Sequence, residues 1–358
     1  MIVLSSGSRE SSTRTAGLRL VESRVLGEHR SAWDRLAAQS PEPTHSLASW
    51  WLEAVGATEP LFLLVFDGEG LVGGLPLEVE RWRSLPRFRV LGYRMWPTDF
   101  DVVAESSRYD AVVEAIGSWF RARDDYLIEL RGLTGSTRLP HHAPRGAEAR
   151  PIPPTWTAPL GSDIDDYLGS LSRGFRKEVG RLRRKFTREG FTTAVAAPEE
   201  LPQALATLEE LHRLQFGSES TFLPFFDRFS RAAGEGIRSG HMLFHTLFTP
   251  EGVPVAIDVW IRAGRRLLNY IGGRHPDGPT GAGSFLIASA IEDAYTRGID
   301  EISLGSGFGG WKERWAPERH EQLLLTGAVG IRATTYVKVR DAALATRRLL
   351  TPRRRRDG

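Results

Sequence analysis

A single carboxylate interrupts an apolar run, Val255-Ala256-Ile257-Asp258-Val259-Trp260. Among apolar neighbours an ionised carboxyl loses hydration and its pKa rises, which suits it to take a proton from an amine or to hold an ammonium group. If strand alternation instead turned Asp258 to solvent, it would be an ordinary surface acid. Further along, Gly278-Pro279-Thr280-Gly281-Ala282-Gly283 separates a strand from a helix. Glycines admit a ligand close to the backbone, and the free amides of a first helical turn attract anions. Gly281, Ala282 and Gly283 are therefore a candidate pyrophosphate cradle, to which Ser284 adds a hydroxyl, although glycines before a helix are also ordinary turn chemistry. Lys312 follows the next strand and offers a cation for phosphate or for developing oxyanion charge.

Other chemistries are poorly served. The chain has no cysteine, which excludes disulfide frameworks, thiolate metal sites, iron–sulfur clusters and cysteine nucleophiles. His241 and His245 are spaced to share a strand face, but without a third ligand nearby they read as packing, and no metal is expected. Gly305-Ser306-Gly307-Phe308-Gly309-Gly310 satisfies G-x-G-x-x-G, yet Pro317 leaves room for only a short helix where a dinucleotide fold needs a long one. There is no G-x-S-x-G elbow.

The elements that must position these residues fall into two similar series. Helical patterns over 33–38 and 48–55 precede an apolar strand at 61–66, a turn at Asp67-Gly68-Glu69-Gly70, a second hairpin arm at 71–79, a strand at 88–93, a helix at 109–120 and a strand at 126–130. The proline-rich stretch from Gly135 to Pro159 reads as the boundary between domains. After it come helices over 165–189, 198–216 and 225–239, a hairpin of 242–248 and 253–262 around Thr249-Pro250-Glu251-Gly252, a strand at 267–271, a helix at 284–297 and a strand at 301–304. The recurrence lies in element order rather than residue identity, and it predicts a duplicated α/β unit with a mixed, mainly antiparallel sheet flanked by helices in each half.

Strand, glycine loop, helix and strand in this order resemble the acyl-CoA-binding core of the GNAT superfamily, whose loop motif is R/Q-x-x-G-x-G/A. Gly281 and Gly283 match its last two positions, while Gly278 stands where Arg or Gln would be. The series from Tyr167-Leu168-Gly169-Ser170-Leu171-Ser172 through Arg176 to Lys185, Gly252-Val253-Pro254-Val255-Ala256, Tyr270-Ile271-Gly272-Gly273 and Leu304-Gly305-Ser306-Gly307, ending in Trp311-Lys312-Glu313-Arg314-Trp315, is similar to CelD-type acetyltransferases of polysaccharide biosynthesis. It is more distantly similar to Fem aminoacyl transferases. The first half joins the resemblance through its hairpin and Trp96-Pro97-Thr98-Asp99-Phe100-Asp101. Two tandem GNAT-like domains, 17–150 and 151–335, are thus expected, between a disordered leader (1–16) and a C-terminal helix and basic tail (336–358).

Acyl transfer to an amine needs a polarised thioester carbonyl, a deprotonated nucleophile and a proton donor for the departing thiolate. The resemblance implies that the strand before the loop is splayed and that an amide in Tyr270, Ile271, Gly272 or Gly273 bonds the thioester oxygen. Tyr270, Asp258 and Lys312 are its catalytic candidates, Lys312 matching a lysine that recurs at this place in the family. Trp311, Asp99 and Asp101 are expected to bind the acceptor. No glycine cradle follows Asp99 and Asp101, so the first half is expected to lack a donor site and to lend carboxylates to an interdomain cleft.

The implied co-substrate is a thioester of coenzyme A or of an acyl carrier protein, used by direct transfer to a small-molecule or peptide amine, or less readily a hydroxyl. A Fem-like enzyme using aminoacyl-tRNA and a non-catalytic accessory protein of envelope or polysaccharide assembly are the alternatives. The segment 173–188 carries eight basic residues against Glu178, able to dock phosphates or merely to solvate a helix. Arginines also crowd the C-terminus, although the net charge over 358 residues is only +3. With no signal-like segment and no apolar run of spanning length, the expected location is cytoplasmic, without stable membrane insertion.

Overall fold

The computed structural model describes residues 12–15, 17–56, 59–307 and 310–339; the start of the expected leader, Phe308, Gly309 and the basic tail lie outside the described residues. The first half contains β1 (Ser12–Thr15), β2 (Leu18–Ser23), α1 (Arg30–Ala38), α2 (Ser49–Ala54), β3 (Pro60–Asp67), β4 (Gly70–Trp82), β5 (Leu85–Val90), β6 (Val103–Ala104), α3 (Tyr109–Arg121) and β7 (Tyr126–Thr134). Next come β8 (Ala147–Pro159), α4 (Ile164–Ser170), α5 (Arg173–Arg188), β9 (Thr192–Val195), α6 (Leu201–Phe216), α7 (Phe226–Arg238), β10 (Met242–Phe248), β11 (Pro254–Ala263) and β12 (Arg266–Arg274). The series ends with α8 (Ala282–Thr296), β13 (Glu301–Ser306), α9 (Gly310–Trp315) and β14 (Glu318–Val329), after which residues 331–339 are helical.

One mixed sheet runs through both halves in the order β1-β2-β3-β4-β5-β7-β14-β8-β13-β12-β11-β10-β9. Among the described residues, only β5 with β7 and β12 with β13 pair in parallel on this path, so each half repeats the same motif: antiparallel strands ending in one parallel pair. The last strands are exchanged. β8 follows β7 in sequence but lies beside β13, whereas β14 follows β13 and lies beside β7. β8 and β14 also pair with each other, so the halves share a continuous ladder.

One expectation is corrected here. Residues 12–15, expected in a disordered leader, form β1, because the exposed edge of β2 pairs with any extended backbone whatever its side chains. The proline-rich stretch read as the boundary between domains contributes the 13-residue strand β8. Pro153 and Pro154 are tolerated because they fall at the register shift against β14 and beyond the last residue paired with β13, and so oppose no residue in either ladder. Their carbonyls are still satisfied, accepting from Ser306 Oγ at 2.8 Å and from the Gly307 amide at 3.1 Å.

Helices cover both faces of the second half. On α5, Phe175, Val179, Leu182 and Phe186 recur at helical spacing and are buried, while Ser172 caps the first turn through the Phe175 amide. Helix α8 is buried nearly all round and packs with α5 on one sheet face. Helices α6 and α7 cover the other face with Leu208, Leu211, Phe229 and Ile237, and that cluster takes in Trp50, Trp51, Val55 and Met95 from the first half. Residues of this size each contribute roughly 1.5–3 kcal/mol on burial, which makes the junction between the halves a hydrophobic core rather than a loose contact.

Candidate active site

β12 and β13 pair only through Arg266 to Leu268 against Glu301 to Ser303. Beyond that point β12 continues to Arg274 and β13 to Ser306 without pairing, so the sheet opens between them. A bulge between Val259 and Trp260 leaves Tyr270 unopposed at the start of the opening. The opening leads into a cleft of ≈ 630 Å³ walled on one side by β12 and β13, on others by α6, α9 and the Trp96-Pro97-Thr98 loop of the first half. The first half has a matching divergence after Arg89 and Glu129, but there the chain itself fills the gap. Phe100 bridges to Leu133, its amide donates to the Gly132 carbonyl at 2.8 Å, and a Cβ at Gly132 would overlap Pro97.

Asp258 lies on the floor of this cleft and is only 2 % exposed. Along β11, Ala256 and Trp260 pack toward α5 and α8 while Ile257, Val259 and Ile261 pack toward α6 and α7, so neither face of the strand meets solvent. Burial pushes the Asp258 carboxyl up to about 6, with the Arg274 guanidinium pulling in the opposite direction. Arg274 Nη2 stands 3.7 Å from Asp258 Oδ1, whereas Oδ2 is buried without a partner. The carboxylate can sit there because Gly272, opposite it, has no side chain: a Cβ would overlap Asp258 Oδ1.

The adjacent glycine serves the other face. A Cβ on Gly273 would overlap the backbone of Leu211 and His212, so the absence of side chains lets α6 lie directly on β12. This brings in His212, which the sequence reading missed because it occurs on a helix with no partner nearby in sequence. Its Nδ1 is 2.8 Å from the Gly272 carbonyl oxygen and its Nε2 2.9 Å from Ser220 Oγ, and burial lowers its pKa.

Lys312 lines the cleft from α9, donates to the Ser306 carbonyl at 2.7 Å, and is lowered by burial to about 8. Trp311 lines it as well, 45 % exposed, and Ile271 and Gly272 contribute backbone. Tyr270 borders the cleft, but its hydroxyl donates to the Met95 carbonyl at 2.9 Å and its ring stacks on Phe229. Burial raises its pKa, so it holds the halves together with its proton in place.

The cradle residues stand at the start of α8, apart from the cleft walls. Gly281 is its N-cap, with φ of 91°, and a Cβ there would overlap Leu182. A Cβ on Gly283 would overlap the Arg274 guanidinium, which therefore covers the first turn of α8 beside Ala282 and Ser284.

Asp99 and Asp101 are not among the cleft walls. Asp99 accepts from Thr155 Oγ1 at 3.0 Å and Gln322 Nε2 at 2.8 Å and lies 3.3 Å from Arg266 Nη1, joining the loop to β8, β14 and β12. Its backbone is left-handed at φ 52°, held by the Asp99 amide donating to Gln322 Oε1. Asp101 accepts from the Val102 amide, Tyr109 and Thr137 within the first half. Their oxygens are thus engaged by internal partners, and burial raises both pKa values. The histidine pair is also divided: His241 stacks on Trp50, and His245 lies buried 3.5 Å from Asp293. Among the described residues, no group of three or more His, Asp or Glu could hold a metal.

Residues 173–313 match the family model for an acetyltransferase (GNAT) domain. The fold is that of tandem GNAT proteins. One such protein, from the clavulanic acid biosynthesis pathway, superposes with a TM-score of 0.50 at 12 % identity over 88 % of this chain and 99 % of its own. FemX gives a TM-score of 0.59 at 11 % identity, covering 87 % of this chain and 98 % of FemX. L-PGS from Bacillus licheniformis gives 0.53 at 13 % identity, covering 76 % and 85 %. No curated protein sequence matches the chain significantly. The GNAT fold thus extends over both halves, with the family match confined to the half that carries the open strand pair. Among the described residues no helix is long and apolar enough to cross a membrane.

Proposed function

We propose that this chain transfers an acyl group from a phosphopantetheine thioester, of coenzyme A or of a carrier protein, to an amine held in the cleft between its halves. The observation that carries this reading is the buried, half-partnered Asp258 at the opening of β12 and β13, with Lys312 across the same cleft. At neutral pH Asp258 is a carboxylate able to take the proton the amine loses as the new C–N bond forms. Lys312, still largely protonated below its pKa of about 8, supplies charge to the carbonyl oxygen and a proton to the thiolate as the C–S bond breaks. The exposed faces of Trp311 and Trp96 give the acceptor an aromatic wall, suited to stacking or to a cation. In this reading the first half has no donor site, because its own loop occupies the corresponding gap.

A second donor, an aminoacyl ester of tRNA, is favoured by one observation. Arg173, Lys177, Arg181 and Arg184 form an exposed file on α5 with no acidic partner among the described residues. The protein has no cysteine, so a thiol-reactive chromogen reads released carrier thiol without background. Thiol release from acyl-CoA that depends on an added amine supports the first donor. Ribonuclease-sensitive transfer, without thiol release, supports the second and overturns the first.

A further inference from the structure

Arg274 occupies an unusual position in the cleft. Its guanidinium covers the first turn of the 15-residue α8, where only the missing side chain of Gly283 makes room for it. A cation at a helix N-terminus opposes the helix dipole and is favoured there only once an anion joins it. Its Nε is buried without a partner, and Nη2 reaches only to 3.7 Å from Asp258. Asp258 in turn leaves Oδ2 unpartnered in a side chain that is 3 % exposed. Two opposite charges lie side by side, each with a buried atom unsatisfied, between the first turn of α8 and the cleft.

We propose that Arg274 is the phosphate-binding residue of this site and couples the two substrates, turning from Asp258 to a donor phosphate at α8 and thereby freeing the carboxylate for the acceptor amine. The inference rests on the acyl-transfer reading and adds to it a residue outside the glycine motif, as well as an order of events. Before the donor binds, Arg274 holds one oxygen of Asp258. Once its charge is shared with a phosphate, Asp258 loses the only cation beside it among the described residues and becomes the stronger proton acceptor. The groups around that carboxylate are few. Arg274 faces it from β12. His245, in register on β10, lies toward Asp293 of α8, which is bound by Arg297. His212 approaches the far side of Gly272 from α6, and Lys312 looks across the cleft from α9. None of these replaces the Arg274 charge at Asp258.

Isothermal titration of the full chain with coenzyme A, 4′-phosphopantetheine and pantetheine, for wild type, Arg274→Gln and Arg274→Lys, tests the proposal. Loss of a charge-assisted phosphate contact should weaken the two phosphorylated probes about tenfold or more in Arg274→Gln, leave pantetheine unchanged, and be partly repaired in Arg274→Lys. Near pH 6, wild type should take up protons as coenzyme A binds, seen as a dependence of the heat on buffer ionisation, and Arg274→Gln should not. Equal affinity of wild type and Arg274→Gln for coenzyme A, equal loss for pantetheine, or no proton uptake by wild type would overturn the coupling while leaving acyl transfer intact. Should neither phosphorylated probe bind wild type, the coupling and the phosphopantetheine donor both fall.

Discussion

Replacing Asp258 with asparagine removes a charge while nearly preserving shape, and the two consequences have opposite signs. Burial raises the carboxyl from its usual 3.8 to about 6. Over that window the folded chain retains a proton that the unfolded chain has released, so wild-type stability falls as pH rises from about 4 to about 6 and stays lowered above it. A shift of about two units, at roughly 1.4 kcal/mol each, amounts to ~3 kcal/mol. Asp258→Asn should therefore be more stable than wild type by up to ~3 kcal/mol at pH 8 and nearly equal to it at pH 4, as measured by guanidinium unfolding at pH 4, 6 and 8. The same variant should lose about 10²–10⁴-fold in amine-dependent thiol release, as expected when a general base is removed. A stability difference that does not change with pH, or turnover equal to wild type, would refute the assignment of Asp258 as a buried carboxylate kept for chemistry.

The remaining predictions follow from the same geometry. Lys312→Met should lower the rate and abolish a fall in activity that wild type shows as pH rises through about 8, read from a pH–rate profile. Gly273→Ala should cost about 1–3 kcal/mol in denaturant unfolding, because its Cβ meets the backbone of α6, which cannot rotate away. Gly283→Ala meets only the end of the Arg274 side chain, so its stability should change by less than about 0.5 kcal/mol while coenzyme A binding weakens. Asp99→Ala should destabilise by about 1–3 kcal/mol in denaturant unfolding, since Thr155 and Gln322 lose their buried acceptor while Arg266 keeps only Glu301.

The duplicated element order was legible because each half alternates periodic helices with apolar hairpins. The single sheet was not, because strand exchange is a matter of long-range pairing. β8 has prolines at its bulge that read as a domain boundary, and β14 follows a short helix with few turn signals of its own. The expected single helix over 165–189 divides into α4 and α5 at Leu171 and Ser172, whose extended backbone caps the second helix. Asp258 was readable as a polar residue in an apolar run, and Lys312 by its place after a strand. Arg274 and His212 were not, since their roles come from glycines at 272, 273 and 283 that bring distant elements into contact. Asp99 and Asp101 show the converse: their spacing suggested ligand contacts, but three-dimensional hydrogen bonding uses them internally.

The most direct test of the central claim is a crystal structure of the protein with coenzyme A and an amine-bearing acceptor analogue. The account predicts phosphate oxygens within about 3 Å of Arg274 and of the amides at the start of α8, with the thiol end lying between β12 and β13 and facing Asp258 and Lys312. Coenzyme A bound beside β5 and β7 of the first half, or elsewhere with the β12–β13 opening empty, would contradict it.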